Sequence, residues 1–592
     1  MTRRVTPSTF AYSAGEASGA DVLGMENVEV DPTMSGPTPY ERWVTLAEDV
    51  GARGVYEVRI PMRDGIELAA DVYFPTDGTV GAVPAVVELT PYSKDNVVII
   101  TDDAQLWRRN GYVFVAVDVR GCGKSGGDWL VFFNDPEDTH DVIEWVAAQP
   151  WCDGKVGTTG LSYMGWVQWA GASERPPHLE AMISTSAAGR WQQEIPYTDG
   201  VFQLFCAWGG GNTRPRMGAP EGAELDRMLR TLPVGALGDV FKRTGPIWEL
   251  FTTHDTLDDL WRSIRYDDRY GEIDVPCLHV TGWYDMEDLL GAFHHYEGMA
   301  AASPAKDAQY LLVGPWSHIK TRYPDRECGG IDFGPDAAID MDAEHVRFFD
   351  YWLKGKDTGV AELDRVRVFE PGRNVWRGAP SWPLSDTDRC FYLVPGGLAE
   401  DPPPEATTAA YRYDPDDPAV MQIDIRRYPV FEDVTMEQTT TEQRDDVVCY
   451  TTPPLAEPLT VSGWPSLELF ASSDGEDTDW HVKLTDVWPD GRSFRVTQGC
   501  LRAACRDSLE TPTPLVPGEV YRFDVELWPT HHVFLPGHRV RVTVTSSDFP
   551  WFARSMNRFG HIAELAEPRV AVNTVHHGGA HASRVRLPVE RA

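Results

Sequence analysis

Cysteine is scarce in this chain: nine in 592 residues, none in a CxxC pair and the total odd, which leaves no disulfide framework and no thiolate metal site to read. Reduced thiols in a cytoplasmic protein are the expectation. Long apolar runs are missing too. Residues 97–100 and 112–117 fall far short of the roughly 18 residues that a membrane span needs. Residues 1–22 are interrupted by Ser, Thr, Gly and Glu and hold no signal-peptide core. Basic residues are also few. Lys plus Arg total 53 against 90 acids, a formal charge of −37, which repels phosphate backbones and anionic lipid and speaks against nucleic acid and membranes as partners.

What the chain does have is a hydrophobic share of 42%, enough for a core over most of its length. Its texture changes four times. Residues 1–50, rich in Gly, Ser, Thr, Pro and acids, predict a surface extension. Residues 51–189 open with two alternating runs, 55–60 and 66–74, around Arg63-Asp64-Gly65, a hairpin signal. Nearly continuous apolar runs at 83–89 and 112–119, and further buried runs at 155–159 and 179–185, then alternate with helical patterns at 102–110 and 135–149. That alternation means βαβ units and a parallel sheet buried on both faces. Over 190–268 the strand signal vanishes, and 191–208 and 222–265 predict a helical cap. Buried runs return in 269–360, at 275–281 and 310–313. From 361 to 592, short alternating strands with Pro, Gly and Asp turns predict a C-terminal jelly-roll β-sandwich.

Gly121-Cys-Gly-Lys-Ser-Gly126 imitates a phosphate loop. Asp118, however, stands where the first P-loop glycine belongs, and no helix opens behind the loop, so it reads as a structural turn. Gly160-Leu161-Ser162-Tyr163-Met164-Gly165 lies between a buried run and a helical pattern. This is the context of a nucleophile elbow, where a strained turn lifts a serine hydroxyl into the open. Such a serine needs a base, and the base an orienting carboxylate. The run at 275–281 ends in Gly282-Trp-Tyr-Asp285, and that at 310–313 in Gly314-Pro-Trp-Ser-His318. Ser162, Asp285 and His318 thus follow in the α/β-hydrolase order at the ends of successive strands. Taken singly, Ser162 also reads as a helix N-cap, and Asp285 and His318 as loop residues; the ordered triple carries the assignment. The expected fold is an α/β-hydrolase core with a helical cap and a C-terminal jelly roll. His531-His532 and His576-His577 lie in strand-like segments, where neighbours face opposite ways, so no metal or other cofactor is expected.

Together these segments resemble a family of serine hydrolases that includes cocaine esterase, X-prolyl dipeptidyl peptidase and the α-amino-acid ester hydrolases. The resemblance runs from about residue 55 to the C-terminus. It rests on Pro61-Met-Arg-Asp-Gly65, Thr90-Pro-Tyr92, Asp118-Val-Arg-Gly121 and Gly160-Leu-Ser-Tyr163, on the two triad segments, and on Asp477-Thr-Asp479 and Ser547-Asp-Phe-Pro550. It implies hydrolysis of an ester or amide of a small acyl group, α-amino acyl esters and β-lactam side chains included, through an acyl-enzyme. It also implies that the Tyr92 hydroxyl and the Tyr163 backbone N–H bind the oxyanion; without it, Tyr92 reads as a tyrosine packed at a strand end. X-prolyl dipeptidyl aminopeptidase is the alternative activity, and a ligand-binding protein with an idle hydrolase core is the non-enzymatic one. Glu287, Asp288 and Asp199 resemble the carboxylates with which α-amino-acid ester hydrolases hold the substrate ammonium, and Gly291-Ala-Phe-His resembles the same branch. Met164 departs from it. Glu287 and Asp288 read as well as first-turn helix acids. The cap aromatics Trp191, Tyr197, Phe202 and Trp208 are candidates for the acyl pocket, with core packing equally open. Expected partners are a small ester or amide substrate and, in a homo-oligomer, copies of the chain itself.

Overall fold

A computed structural model describes residues 55–76, 81–95, 99–130, 132–204, 227–240, 245–421 and 436–591. The expected extension at 1–50 and Trp208 lie outside these residues.

Strands β1 (Val55–Pro61) and β2 (Glu67–Tyr73) pair antiparallel, with Ile60 opposite Leu68 and Gly65 turning the chain at φ +88°. There follow β3 (Val83–Thr90), α1 (Ile99–Arg109), β4 (Val113–Asp118), α2 (Asp135–Ala147), β5 (Cys152–Leu161), α3 (Tyr163–Ser173) and β6 (Leu179–Thr185). Every position of β4 is buried, which is why its sequence is continuously apolar up to Asp118.

The cap departs from the all-helical expectation. Tyr197–Thr198 (β7) and Val201–Phe202 (β8) form a small hairpin within the stretch predicted as helix. Its turn is Asp199 (φ +45°) and Gly200 (φ +83°). Asp-Gly tolerates positive φ at both turn centres, and the aromatic and β-branched flanks then pair across it. Short helices follow as α4 (Leu237–Val240), α5 (Gly245–Thr253) and α6 (Asp259–Ser263).

Next come β9 (Cys277–Gly282), α7 (Leu289–Ala302), β10 (Gln309–Gly314), a short β11 (Glu327–Cys328) and β12 (Ile331–Asp332), α8 (Met341–Trp352), β13 (Val366–Glu370) and β14 (Val375–Ala379). The large sheet runs β1-β2-β4-β3-β5-β6-β9-β10-β13-β14. From β4 to β13 all neighbours are parallel, and the edges are antiparallel. This is the α/β-hydrolase arrangement, with β5, β9 and β10 delivering their C-terminal ends to one rim. The sheet also extends beyond residue 360, where the texture of the sequence changes, because β13 pairs with β10.

Thirteen described strands between Thr387 and Val589 make the second, all-β part. Leu467, Leu469 and Ala471 on one strand and Val540, Val542 and Val544 on another are fully buried, with the period of two that the sequence predicts. No helix among the described residues is long and apolar enough to cross a membrane. The eight described cysteines are all free thiols.

Candidate active site

Ser162 stands between β5 and α3 at φ +65° and ψ −127°, a conformation that costs an L-residue about 1–3 kcal/mol. Its neighbours hold it there. The Ser162 N–H donates to Thr185 O of β6 at 3.0 Å, while the Gly165 and Trp166 N–H groups donate to Ser162 O at 2.8 and 2.9 Å. Ser162 is the N-cap residue of α3, yet its hydroxyl makes no capping bond and stays available for chemistry. A Cβ on Gly160 would meet that of Met164 at 2.5 Å, and one on Gly165 would lie 2.7 Å from Thr185 O. Met164 itself is buried. The second obligatory glycine is therefore Gly165, which explains the GxSxxG spacing.

His318 follows β10 and Asp285 follows β9. His318 Nδ1 pairs with Asp285 Oδ1 at 3.1 Å and Oδ2 at 3.3 Å. The Glu287 and Asp288 N–H groups donate to Asp285 Oδ1 at 2.9 and 3.2 Å, so the turn after β9 fixes the carboxylate. Burial pushes Asp285 up, but the His318 imidazole and the Ser186 hydroxyl outweigh that and hold it below the usual carboxylate range.

The Tyr92 hydroxyl is in hydrogen-bond contact with Ser162 and with the Tyr163 backbone N–H. Burial, helped by Glu287 and Asp288, raises Tyr92 far above an ordinary phenol, so it stays a neutral donor. The phosphate-loop look-alike serves this loop. Its Lys124 N–H donates at 2.8 Å to Asp118, the carboxylate that also accepts from Lys94 N–H, two residues after Tyr92, at 2.5 Å. The Tyr163 ring stacks on Phe132, and its hydroxyl donates to Asp135 at 2.5 Å, which anchors the start of α3.

Two more carboxylates face the histidine. Glu287 Oε2 lies 3.5 Å from His318 Nε2, and Asp288 Oδ2 lies 4.0 Å from Nδ1. Asp288 is the N-cap residue of α7, but its side chain makes no cap bond and its buried Oδ1 has no hydrogen-bond partner. The first-turn reading therefore fails: the first turn of α7 holds no acid, and Glu287 and Asp288 stand just before it. Burial raises Glu287 to about 7 and Asp288 well above the usual range. His318 is lowered by burial but raised more by Glu287, Asp285 and Asp288, and ends well above an ordinary histidine.

Asp199 is not brought to this pair. Its charged neighbours are Glu526 and Glu194, burial raises it to about 7, and its backbone O accepts from Arg502 N–H in the all-β part. The sequence reading missed Glu194, a buried residue whose charge reaches Asp288 and whose carboxylate pairs with His294 and accepts from Gly189 N–H at 2.8 Å. No local motif marks it. Tyr197 and Phe202 pack into the cap core, against Phe251 O and Trp248 respectively. Trp191 packs on Phe132 and Trp166, behind the Tyr163 ring.

Two groups among the described residues offer three donor atoms within 4.8 Å of one another: Glu287, Asp288 and His318, and Glu370, His531 and Glu590. In the second, Arg373 and Arg377 already neutralise Glu370 at 2.9 and 3.1 Å. In the first, a metal ion would occupy the Nε2 lone pair that a catalytic base needs, so the group suits an organic cation better. His531 turns to Glu370 and His532 to Asp486, on opposite faces of their strand.

Residues 64–320 match the X-Pro dipeptidyl-peptidase (S15) family, and residues 358–586 match the X-Pro dipeptidyl-peptidase C-terminal non-catalytic domain. The chain is 34% identical to cocaine esterase from Rhodococcus sp. (strain MB1 Bresler), over 90% of this chain and 98% of that one. Among solved structures it is similar to an α-amino acid ester hydrolase (TM-score 0.83, 27% identity, covering 91% of this chain and 96% of the other). It is also similar to an aminopeptidase from the marine sediment archaeon Thaumarchaeota archaeon, with TM-score 0.81, 26% identity and the same coverage. A strained serine on an α/β-hydrolase sheet and a match along nearly the whole chain lead to one conclusion: the chain belongs to the X-Pro dipeptidyl-peptidase (S15) family of serine hydrolases.

Proposed function

We propose that the chain hydrolyses esters, and amides of similar shape, of small acyl groups that carry a free α-amino group. Ser162 Oγ attacks the acyl carbon while His318 Nε2 takes its proton and Asp285 holds the ring. The oxyanion accepts from the Tyr92 hydroxyl and the Tyr163 N–H. His318 returns the proton to the leaving alcohol or amine, and water then repeats the cycle on the acyl-enzyme. The carrying observation is the pair Glu287 and Asp288. Both carboxylates lie beside His318, and one Asp288 oxygen is buried without a partner, a cost that a substrate ammonium would offset. The N-terminal ammonium of an Xaa-Pro dipeptide would meet the same carboxylates, so the peptidase activity named by the family match is the second reading. Free thiols support a reducing compartment, the cytoplasm, and a homo-oligomer belongs to the reading.

The test compares α-amino acyl esters, their deaminated analogues and an Xaa-Pro anilide on pure protein. An ion pair of this kind contributes on the order of 2 kcal/mol, or roughly thirty-fold in kcat/KM in favour of the amino ester. Glu287→Gln with Asp288→Asn should erase that preference and leave neutral esters reactive. Equal rates on both ester classes in wild type would overturn the amino-ester reading, and sedimentation of the same sample reads the assembly.

A further inference from the structure

Glu287 does more than wait for a substrate. Its Oε2 lies 3.5 Å from His318 Nε2, the ring nitrogen that Asp285 leaves free for the serine. Ser162 shares this space, because Tyr92 touches the Ser162 hydroxyl and also feels the charges of Glu287 and Asp288. Among the described residues, the charged groups that face the imidazole are acidic: Asp285, Glu287 and Asp288 from the turn after β9, with Glu194 of the cap reaching it through Asp288. Near Glu194 stand His294, which Glu194 itself engages, and Arg265, which feels its charge from the cap. Three carboxylates around one imidazole have a single cation among them to satisfy, the proton of that imidazole. A histidine protonated at Nε2 cannot take the serine proton.

We infer that Glu287 keeps the His318 base closed by holding the Nε2 proton, and that an ammonium ion bound at Glu287 and Asp288 opens it. The site exchanges one cation for another. As the ammonium arrives, its N–H groups donate to the Glu287 and Asp288 oxygens, and the Nε2 proton leaves to solvent, so charge and protons balance. The high protonation tendency of His318, raised by Glu287, Asp285 and Asp288 against its burial, agrees with this geometry. The inference rests on the ammonium reading above and goes beyond it. The amino group of a substrate then activates the base as well as anchoring the acyl chain, and a free ammonium ion becomes an activator for esters that have no amino group.

The probe is methylammonium chloride. An ion this small binds no tighter than the millimolar range, so it is used at roughly 100 mM against potassium chloride at equal ionic strength. With a neutral ester such as methyl phenylacetate, methylammonium should move the rising limb of the kcat/KM–pH profile about one unit lower. Below that limb it should raise kcat/KM about tenfold, whereas potassium should do neither. Glu287→Gln should show the lowered limb without any additive and no response to methylammonium. A second measurement needs no variant. Calorimetric binding of methylammonium to wild type, in buffers of different ionisation enthalpy, should release up to one proton per site. Binding without proton release, or inhibition of the neutral ester, overturns the inference. A preference for amino esters without methylammonium activation leaves the proposed function standing and removes the gate; activation without the preference does the reverse.

Discussion

Two clusters of the same residue types, a histidine with two acids, sit at opposite ends of an electrostatic range. At the seam between the large sheet and the all-β part, Glu370 at the end of β13 meets His531 at 3.0 Å, Arg373 at 2.9 Å and Arg377 at 3.1 Å, and Arg377 reaches on to Glu590 at 3.2 Å. Burial pushes Glu370 up, but His531 and Arg373 outweigh it and bring it down to about 2. At the candidate active site, the ion-pair partner of Glu287 and Asp288 among the described residues is His318 alone, and Glu287 rises to about 7. The first cluster is neutralised by the chain itself. The second leaves its charge open to a ligand. Built-in cations suit a cluster that joins two domains, and their lack at the second cluster is what the proposed binding of an ammonium group rests on.

The largest expected effect tests chemistry without touching either cluster. Ser162→Ala should lower kcat by roughly 10⁴-fold or more in a folded protein, and a fluorophosphonate should label Ser162 in wild type. Labelling elsewhere, or an active Ala variant, would put the ligand-binding reading first.

Second comes Glu370→Gln, which removes the hub of the neutralised cluster and leaves two arginines and a histidine without it. A loss of about 3–5 kcal/mol in unfolding free energy is expected, with kcat of the remaining folded enzyme unchanged. A carboxyl lowered in the folded state contributes stability above its unfolded value of 4.5, and that stability fades as pH falls towards about 2. Acid unfolding of wild type should therefore lose this contribution over that window, and the Gln variant should lack it. A variant as stable as wild type would erase the contrast between the clusters.

Tyr92→Phe is third. It removes one of two oxyanion donors, so kcat should fall about 10²- to 10³-fold with little change in KM. An unchanged kcat would make Tyr92 a packing residue.

The smallest effect sharpens the comparison most, because its sign is opposite. Glu287→Gln with Asp288→Asn removes charges that the single His318 imidazole neutralises only in part, and should stabilise the protein by about 1–3 kcal/mol near pH 8. Glu287 is raised to about 7 by burial, so its stability contribution is complete below 4.5 and is lost as pH climbs to about 7. Wild-type melting temperature should decline across that interval, and the double variant should not follow it. A destabilised double variant would show that the active-site acids are structural after all.

Much of the architecture was legible in the sequence. Nearly continuous apolar runs marked β3 and β4, and shorter buried runs marked β5, β6, β9 and β10, because strands buried on both faces leave no regular polar alternation. The elbow was legible because its glycines obey local sterics: Gly160 and Gly165 have no room for a Cβ. Other elements were less so. The Asp199-Gly200 turn carried a hairpin signal, but its strands have two residues each, too short for alternation to show amid the aromatic cap. Strand β13 begins with the alternation of the all-β part, and only its pairing with β10, and that of β14 with β13, assigns the two to the large sheet.

Sequence alone determined most of the elements outside the cap, their order and the succession Ser162, Asp285, His318, since these follow from periodicity, turn chemistry and the rule that α/β sheets bind ligands at their C-terminal rim. Tertiary structure decided which charges face which. Asp285 reaches His318 across 33 residues, Glu194 reaches His294 across 100, and Glu370 reaches His531 across 161. Whether a carboxylate ends near 2 or near 7 depends on burial and on the sum of such distant neighbours. No local pattern encodes that sum, because Coulomb interactions act through space and the fold chooses the distances.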